Sequence, residues 1–180
     1  DTDIILSDAQ LTVGSDSHQL DDIERAQLVG GAGANKNPAA GFSGNPPLTG
    51  GLGADTLTGS AGNSTLLEIL DQDLTLTDTQ LVGTDTDQLA AFDRAKLVGG
   101  SSDNRFDASG FAGPVTLRGS GGGDTLTGGA GNDSLVGGDG DDTVEGQTGD
   151  GTVLGGIGVS GLRAEEDEAI AQIGLNAIKL

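Results

Sequence analysis

Leucine, or another apolar residue, recurs along this chain at nearly even spacing. Apolar positions fall at Leu6, Leu11, Leu20, Leu28, Leu48, Leu57, Leu66, Leu76, Leu81, Leu89, Leu97, Phe106, Leu117, Leu126, Leu135, Val144 and Val153. Most are 8 to 11 residues apart, and the spacing stretches where Asn37 takes the place matched by Phe106. From Gly119 the pattern sharpens into five nine-residue units: GSGGGDTLT, GGAGNDSLV, GGDGDDTVE, GQTGDGTVL and GGIGVSGLR, ending at Arg163. Each unit reads as a six-residue glycine loop followed by a three-residue strand. Side chains alternate faces along a strand, so the middle residue points inward and its neighbours outward. Leu126, Leu135, Val144 and Val153 are these middle residues, and Thr125, Thr127, Ser134 and Thr143 face solvent. Two half-turns on opposite sides make one coil of about 18 residues. The pattern predicts an all-β fold: one continuous parallel β-solenoid (a β-roll or β-helix) of about nine coils, held by stacking between neighbours.

A longer repeat lies over the short one. The segment beginning RAQLVGGAGANKN at Arg25 returns as RAKLVGGSSDNRF at Arg94, and LSDAQLTVGSDSHQL returns as LTDTQLVGTDTDQL with one residue deleted. The chain therefore divides into a first degenerate module at 1–68, a second homologous module at 69–136, further nonapeptides at 137–163 and a tail at 164–180. The tail drops the glycine period. Glu165 to Glu168 precede Ile170, Ile173, Ala177 and Ile178, and Lys179 stands near the end. Acid first and base last suit a helix dipole, and the apolar spacing is helical. This predicts a short amphipathic helix capping the last coil.

Composition narrows the core. Among 180 residues there are 34 glycines and four Phe, with no Trp, Tyr, Met or Cys. Thin aliphatic rows are expected rather than a thick core with aromatic anchors. The formal charge of -20 argues against nucleic acid as a partner, which needs a basic surface. It also creates self-repulsion that bound cations relieve. Cysteine frameworks and thiolate metal sites are ruled out. The apolar runs are too short for a transmembrane segment. The chain starts at Asp1 with neither Met nor a signal peptide, and is expected to be part of a larger polypeptide.

The nonapeptides resemble the glycine- and aspartate-rich repeat of the RTX, or haemolysin-type calcium-binding, family, whose pattern is G-G-x-G-x-D-x-U-x with U apolar. The resemblance is strong over Gly119–Glu145 and weaker over Gly50–Leu67. It implies calcium held between stacked loops by sixth-position aspartates and loop carbonyls. Calcium is a hard cation that takes six to eight oxygens, and glycine lets carbonyls converge. Carried onto this chain, the ligands are Asp124, Asp133 and Asp142, with Gly129, Gly131, Gly138 and Gly140 as carbonyl candidates. Stacking puts Asp124 and Asp142 on one side and Asp133 on the other, opposite the loop of Asp150. Asp150 is one residue early in a unit whose sixth position is Gly151. Asp55 fits in the first module, where Ser64 and Asn35 replace Asp elsewhere. Asp103 and Asn104 are candidates to complete a site with Asp124, and Asp16, Asp85 and Asp87 occupy corresponding loops. Such proteins are commonly exported by a one-step route with a C-terminal signal, so a secreted or cell-surface location is expected, with self-association or surface polysaccharide as candidate partners.

Other readings fit less well. A phosphate loop requires Gly-Lys-Ser/Thr and a following helix, and neither is present. His18 is the one histidine, and its counterpart Asp87 points to a solvated loop rather than a catalyst. Arg25 and Arg94 are expected to pair with Asp22, Glu24 or Asp93. The Thr-x-Thr segments at Thr56, Thr75 and Thr125 suggest an ice-binding ladder, but Arg105, Asp107 and Glu145 interrupt it. No constellation favours enzymatic activity.

Overall fold

A computed structural model describes residues 2–60 and 62–147, together with the backbone of a strand at 154–156. The expected tail helix at 164–180, Asp150 and the last nonapeptide's loop lie outside the described residues.

In the first module β1 (Ile4–Leu6), β2 (Gln10–Val13) and β3 (Asp16–Gln19) precede β4 (Leu28–Val29), β5 (Lys36–Pro38), β6 (Pro47–Thr49), β7 (Thr56–Thr58) and β8 (Thr65–Ile69). In the second, β9 (Leu74–Thr77), β10 (Gln80–Val82) and β11 (Thr86–Ala90) precede β12 (Arg94–Val98), β13 (Arg105–Gly110), β14 (Val115–Gly121), β15 (Thr125–Thr127) and β16 (Ser134–Asp139). β17 (Thr143–Glu145) and β18 (Leu154–Gly156) follow. The fold is all-β, with no helix among the described residues.

The glycine loops carry the chain back and forth between two sheets. One has the order β18-β16-β14-β12-β8-β6-β4, and every pairing in it is parallel. The other has the order β17-β15-β13-β9-β10-β11-β7-β5. Strand registers place the leucines over one another: Leu48 pairs with Leu28 and Leu66, Leu117 with Leu97 and Leu135, and Leu126 with Phe106 and Val144. Leu48, Leu57, Leu66, Leu97, Leu117, Leu126 and Leu135 are fully buried, and Val144 packs half-buried at the end of its row. Asn37 is also fully buried and pairs with Leu57, in the place Phe106 holds one module later. Its Oδ1 accepts the Ile4 N–H at 3.2 Å.

The expectation of one continuous parallel array needs correction. β9, β10 and β11 form an antiparallel meander inside the second sheet, and β1, β2 and β3 form the same meander in the first module. Leu76 and Leu81 are too close in sequence for a glycine loop to cross to the other sheet. The chain instead turns back within one sheet through Asp78 and Thr79, where Thr77 Oγ1 accepts the Gln80 N–H at 3.0 Å. Hairpins and half-coils both bury alternate residues, so their apolar patterns look alike.

The two modules use equivalent residues alike. Lys36 N–H donates to Asp3 and Arg105 N–H to Asp73, both at 2.8 Å. Ser43 N–H donates to Asp8 at 2.6 Å and Ala112 N–H to Asp78 at 2.8 Å. They join where β11 of the second module pairs in parallel with β7 of the first, Leu89 against Leu57.

Candidate metal centre

The loops that lead from the parallel sheet to the mixed one lie on one edge and carry a ladder of sixth-position residues. Asn35 N–H donates to Asp55 Oδ1 at 2.7 Å, and Asp55 N–H donates to Asp87 Oδ1 at 2.9 Å. One module on, Asn104 N–H donates to Asp124 Oδ1 at 2.8 Å, and Asp124 N–H donates to Asp142 Oδ1 at 2.9 Å. The carbonyls of Asn35, Asp55, Asn104 and Asp124 accept the amides of Thr56, Gln88, Thr125 and Thr143 at 2.7–2.8 Å. Each carboxylate thus ties its own coil to the preceding one.

One oxygen of each is used in this way and the other is not. Oδ2 of Asp55, Asp124 and Asp142 is buried without a hydrogen-bond partner. Asp55 and Asp124 are each 1% exposed. A buried carboxylate oxygen left unpaired is costly. Burial raises the Asp124 pKa, against the lowering effect of the Asn104 amide, and the charges of Asp142, Asp103 and Asp71 raise it further. Burial likewise raises Asp55, opposed by the Asn35 amide and reinforced by Asp85. The ion pair among the described residues, Arg105–Asp107, lies elsewhere at 3.1 Å. Orphaned anionic oxygens beside curled backbone are the donor set that suits a hard cation.

Neutral sixth positions behave differently. Asn35 Oδ1 accepts the Gly31 N–H of its own loop at 2.8 Å, and Asn104 Oδ1 accepts the Gly100 N–H at 3.1 Å. Ser64 Oγ accepts the Ser60 N–H at 2.7 Å. These loops are closed by their own side chains.

Asp133 lies on the opposite edge from Asp124 and Asp142. Its Oδ1 accepts the Val115 N–H at 2.9 Å, much as Asp93 accepts the Ser64 N–H at 3.0 Å. Gly129 and Gly131 are on Asp133's edge, against the carbonyls of Phe111 and Gly113. Gly138 and Gly140, with φ of +126° and +129°, lie against the carbonyls of Ser120 and Gly122. Those two carbonyls belong to the preceding loop, and sequence reasoning did not single them out. Asp103 Oδ1 accepts the Gly123 N–H at 2.7 Å. Asp16 and His18 sit on the exposed strand β3, away from this ladder. Arg94 hydrogen-bonds Asn63 at 3.1 Å rather than pairing with Asp93.

Two acidic groups escaped the sequence reading. Asp71 accepts the Ser101 and Ser102 amides, both at 3.2 Å, and Asn104 Nδ2 at 3.1 Å. The Asn104 hydrogen bond is the main cause of its lowered pKa. Glu68 is fully buried. Alternation from Leu66 could have found it, because residues two apart share a face. No three His, Cys, Asp or Glu side chains among the described residues converge as a ready-made metal cage. A cation on this edge would therefore also draw on backbone carbonyls.

No curated protein matches the chain. A protein-family model does: the RTX calcium-binding nonapeptide repeat matches residues 48–66 and 118–153, in four copies. Those residues include Asp55, Asp124, Asp133 and Asp142 and the glycine turns that flank them. These segments are RTX calcium-binding nonapeptide repeats, a structural element whose cofactor is Ca2+.

Proposed function

We propose that the chain is a calcium-dependent β-solenoid segment of an exported protein, structural rather than catalytic. Coils of two half-turns, interrupted by two meanders, stack along one axis. The observation that carries this reading is the row of buried, unpartnered Oδ2 atoms on Asp55, Asp124 and Asp142. Calcium between successive loops satisfies those oxygens, assisted by carbonyls such as those of Ser120 and Gly122. Asp133 serves the opposite edge. Without the ion, stacked carboxylates repel and the ordering of glycine loops is entropically costly. Low cytosolic calcium then leaves at least the second module unfolded for export, and calcium outside the cell folds it. Among the described residues, no helix is long and apolar enough to cross a membrane.

A calcium titration of the full chain tests this, followed by far-UV circular dichroism and calorimetry, because the chain lacks Trp and Tyr. The expected result is a gain of β signal together with heat of binding. Asp124→Asn is expected to fold with a closed loop, as at Asn104, and to bind calcium less well. Unchanged β content in EDTA would sink the proposal. The same module attached to an exported enzyme has the same requirements, and the sequence of the adjoining chain separates the two cases.

A further inference from the structure

The duplication shows the same strand edge twice, once occupied and once open. β11 lies between β10 and β7, and its parallel pairing with β7 joins the two modules. Its counterpart in the first module is β3, because GSDSHQL at 14–20 matches GTDTDQL at 83–89. Among the described residues β3 pairs with β2 alone. At the other side of that meander β1 lies beside β5, tied by the Ser7–Gly41 bridge and the Asp3–Lys36 hydrogen bond. β3 is therefore the end of the stack. The parallel sheet ends in the same way: β12 lies between β8 and β14, whereas its counterpart β4 has β6 alone.

The open edge has the shape of the occupied one. Leu20 N–H donates inward to the Ala9 carbonyl at 2.9 Å, as Leu89 N–H donates to that of Thr79 at 2.8 Å. Amides alternate sides along a strand, so Gln19 N–H points outward. Its counterpart Gln88 N–H also points outward and donates to the Asp55 carbonyl at 2.8 Å. Both strands run into a left-handed residue, Asp22 at φ +52° and Ala91 at φ +58°. What differs is cover. Leu89 is 5% exposed and Phe92 packs against the core, whereas Leu20 is half-buried and Ile23, in the place of Phe92, is 42% exposed. All four residues of β3 are exposed, and none is the Pro or Lys that commonly blunts an edge. At the far end of the mixed sheet β17 is the last strand among the described residues. Thr143 N–H donates to the Asp124 carbonyl and Glu145 accepts the Gly128 N–H, so both face β15. The N–H and carbonyl of Val144 then point the other way, as those of Leu57 do in β7 towards β11.

We propose that β3 is an assembly edge that takes β17 of a second copy of this chain, in the parallel register by which β11 takes β7. That register pairs Gln88 with Thr56, Leu89 with Leu57 and Ala90 with Thr58. Transposed, it sets Gln19 opposite Thr143, Leu20 opposite Val144 and Asp21 opposite Glu145 of the second copy. Gln19 N–H donates to the Asp142 carbonyl, and Gly146 N–H donates to that of Asp21, as Gly59 N–H donates to Ala90 at 2.9 Å. Leu20 and Val144, each half-buried at the end of its row, cover one another. His18 stands where Asp87 accepts the Asp55 N–H at 2.9 Å. An imidazole nitrogen can accept the Asp142 N–H in the same way, and it adds no negative charge to the junction. The contact is head to tail, so it extends copy by copy along the stacking axis into a filament rather than closing into a two-fold dimer.

Sedimentation velocity of the full chain over a concentration series tests this, in calcium and at about 0.15 M salt to screen the acids. The expected result is a concentration-dependent series of species that extends beyond a dimer. Gln19→Pro removes the outward donor and leaves the inward Leu20 bond, and is expected to weaken association by about tenfold or more at unchanged β signal. If Gln19→Pro fails to fold, cross-linking decides. The chain has no cysteine, so Gln19→Cys combined with Thr143→Cys places thiols at exposed, paired positions, within disulfide reach between neighbouring strands. On oxidation the double variant is expected to give a ladder of linked chains, and each single variant none. A dimer from Gln19→Cys alone means that β3 pairs with β3, and overturns the head-to-tail contact. A folded chain that stays monomeric and gives no ladder overturns the assembly edge altogether. Association that is indifferent to EDTA defeats the calcium-dependent reading and leaves the edge standing, whereas a calcium-folded monomer does the reverse.

Discussion

Gly140 measures how tightly one calcium loop sits on the next. It lies at φ +129°, and a Cβ there would run into the carbonyl oxygen of Gly122, with the Gly122 carbonyl carbon 2.6 Å away. Two costs follow from Gly140→Ala. The backbone conformation is one that L side chains avoid, at about 1–3 kcal/mol. The 137–142 loop must also recede by roughly 1–2 Å to reach ordinary contact. Such a shift breaks the 2.9 Å bond from Asp124 N–H to Asp142 Oδ1, a charge-assisted bond of about 1.5–3 kcal/mol. The expected loss is about 4 kcal/mol. Gly62→Ala is the control: Gly62 has φ +93° but nothing within 4 Å of a built Cβ. Only conformational strain acts there, offset by the lower entropy of the unfolded alanine chain, for a net loss of about 1 kcal/mol. Urea denaturation in saturating calcium, followed by circular dichroism, gives both values, and the calcium midpoint of folding should rise for Gly140→Ala alone. Equal losses at the two glycines would refute the claim that close loop stacking, rather than glycine conformation, holds the site.

The remaining predictions concern the core and protons. Leu126→Ala removes a fully buried side chain from between Phe106 and Val144 and is expected to cost about 3 kcal/mol. Val144→Ala, half-buried at the row's end, is expected to cost about 1 kcal/mol, and the reverse ranking in urea melts would count against the row assignment. For pH, burial together with the Asp87 and Asp55 charges outweighs the Gly50 and Gly51 amides and pushes Glu68 up to about 8. Burial, with the Asp55 and Asp85 charges added and the Asp55 amide opposing, pushes Asp87 up to about 6. Both folded-state values lie above the unfolded ones, so the folded state holds more protons between about pH 4.5 and 8, and stability falls as pH rises through that window. In EDTA, β signal should therefore be greater at pH 5 than at pH 8; a flat profile would contradict the burial of these two acids.

How much was legible in the sequence depends on the range of the interaction. Leu57, Leu66, Leu126 and Leu135 were placed correctly because period-two alternation within a three-residue strand is a local rule. The opposite edges of Asp133 and of Asp124 with Asp142 follow from the nine-residue period, which is also local. The meanders were missed because Leu76, Leu81 and Leu89 satisfy the inward rule whether the chain crosses between sheets or doubles back. The roles of Asp71 and Glu68 depend on backbone amides in stacked coils: Asp71 serves Ser101 and Ser102, some thirty residues ahead, and Glu68 serves Gly50 and Gly51, one coil behind. Spacing within a repeat says nothing about which foreign loop lies above it. A charged side chain such as Glu68 ordinarily faces outward, and the aligned N–H groups of Gly50 and Gly51 make the inward position tolerable.

The duplication sets neutral and charged loops side by side on one scaffold. GSAGNSTLL, at 59–67, closes on itself: Ser64 Oγ accepts the Ser60 N–H, and Ser60 Oγ bonds the Gly44 carbonyl at 2.9 Å. Its counterpart GGAGNDSLV, at 128–136, has Asp133, whose Oδ1 serves Val115. On the other edge the modules match, Asn35 and Asn104 closing their loops and Asp55 and Asp124 each leaving an oxygen open, and Asp142, beyond the duplication, adds one more. Calcium dependence is therefore expected to grow along the chain, weakest in coils around Leu28–Leu66 and strongest from Val115 onward. Hydrogen exchange in EDTA reads this directly. Amides of Leu28 and Leu66, in strands beside the Asn35- and Ser64-closed loops, should exchange more slowly than those of Leu117 and Leu135, and calcium should slow the second pair more. Uniform exchange across both pairs would mean that the neutral substitutions have not relieved the first module of its need for the ion. The duplicate with fewer carboxylates would then be as calcium-dependent as the duplicate with more.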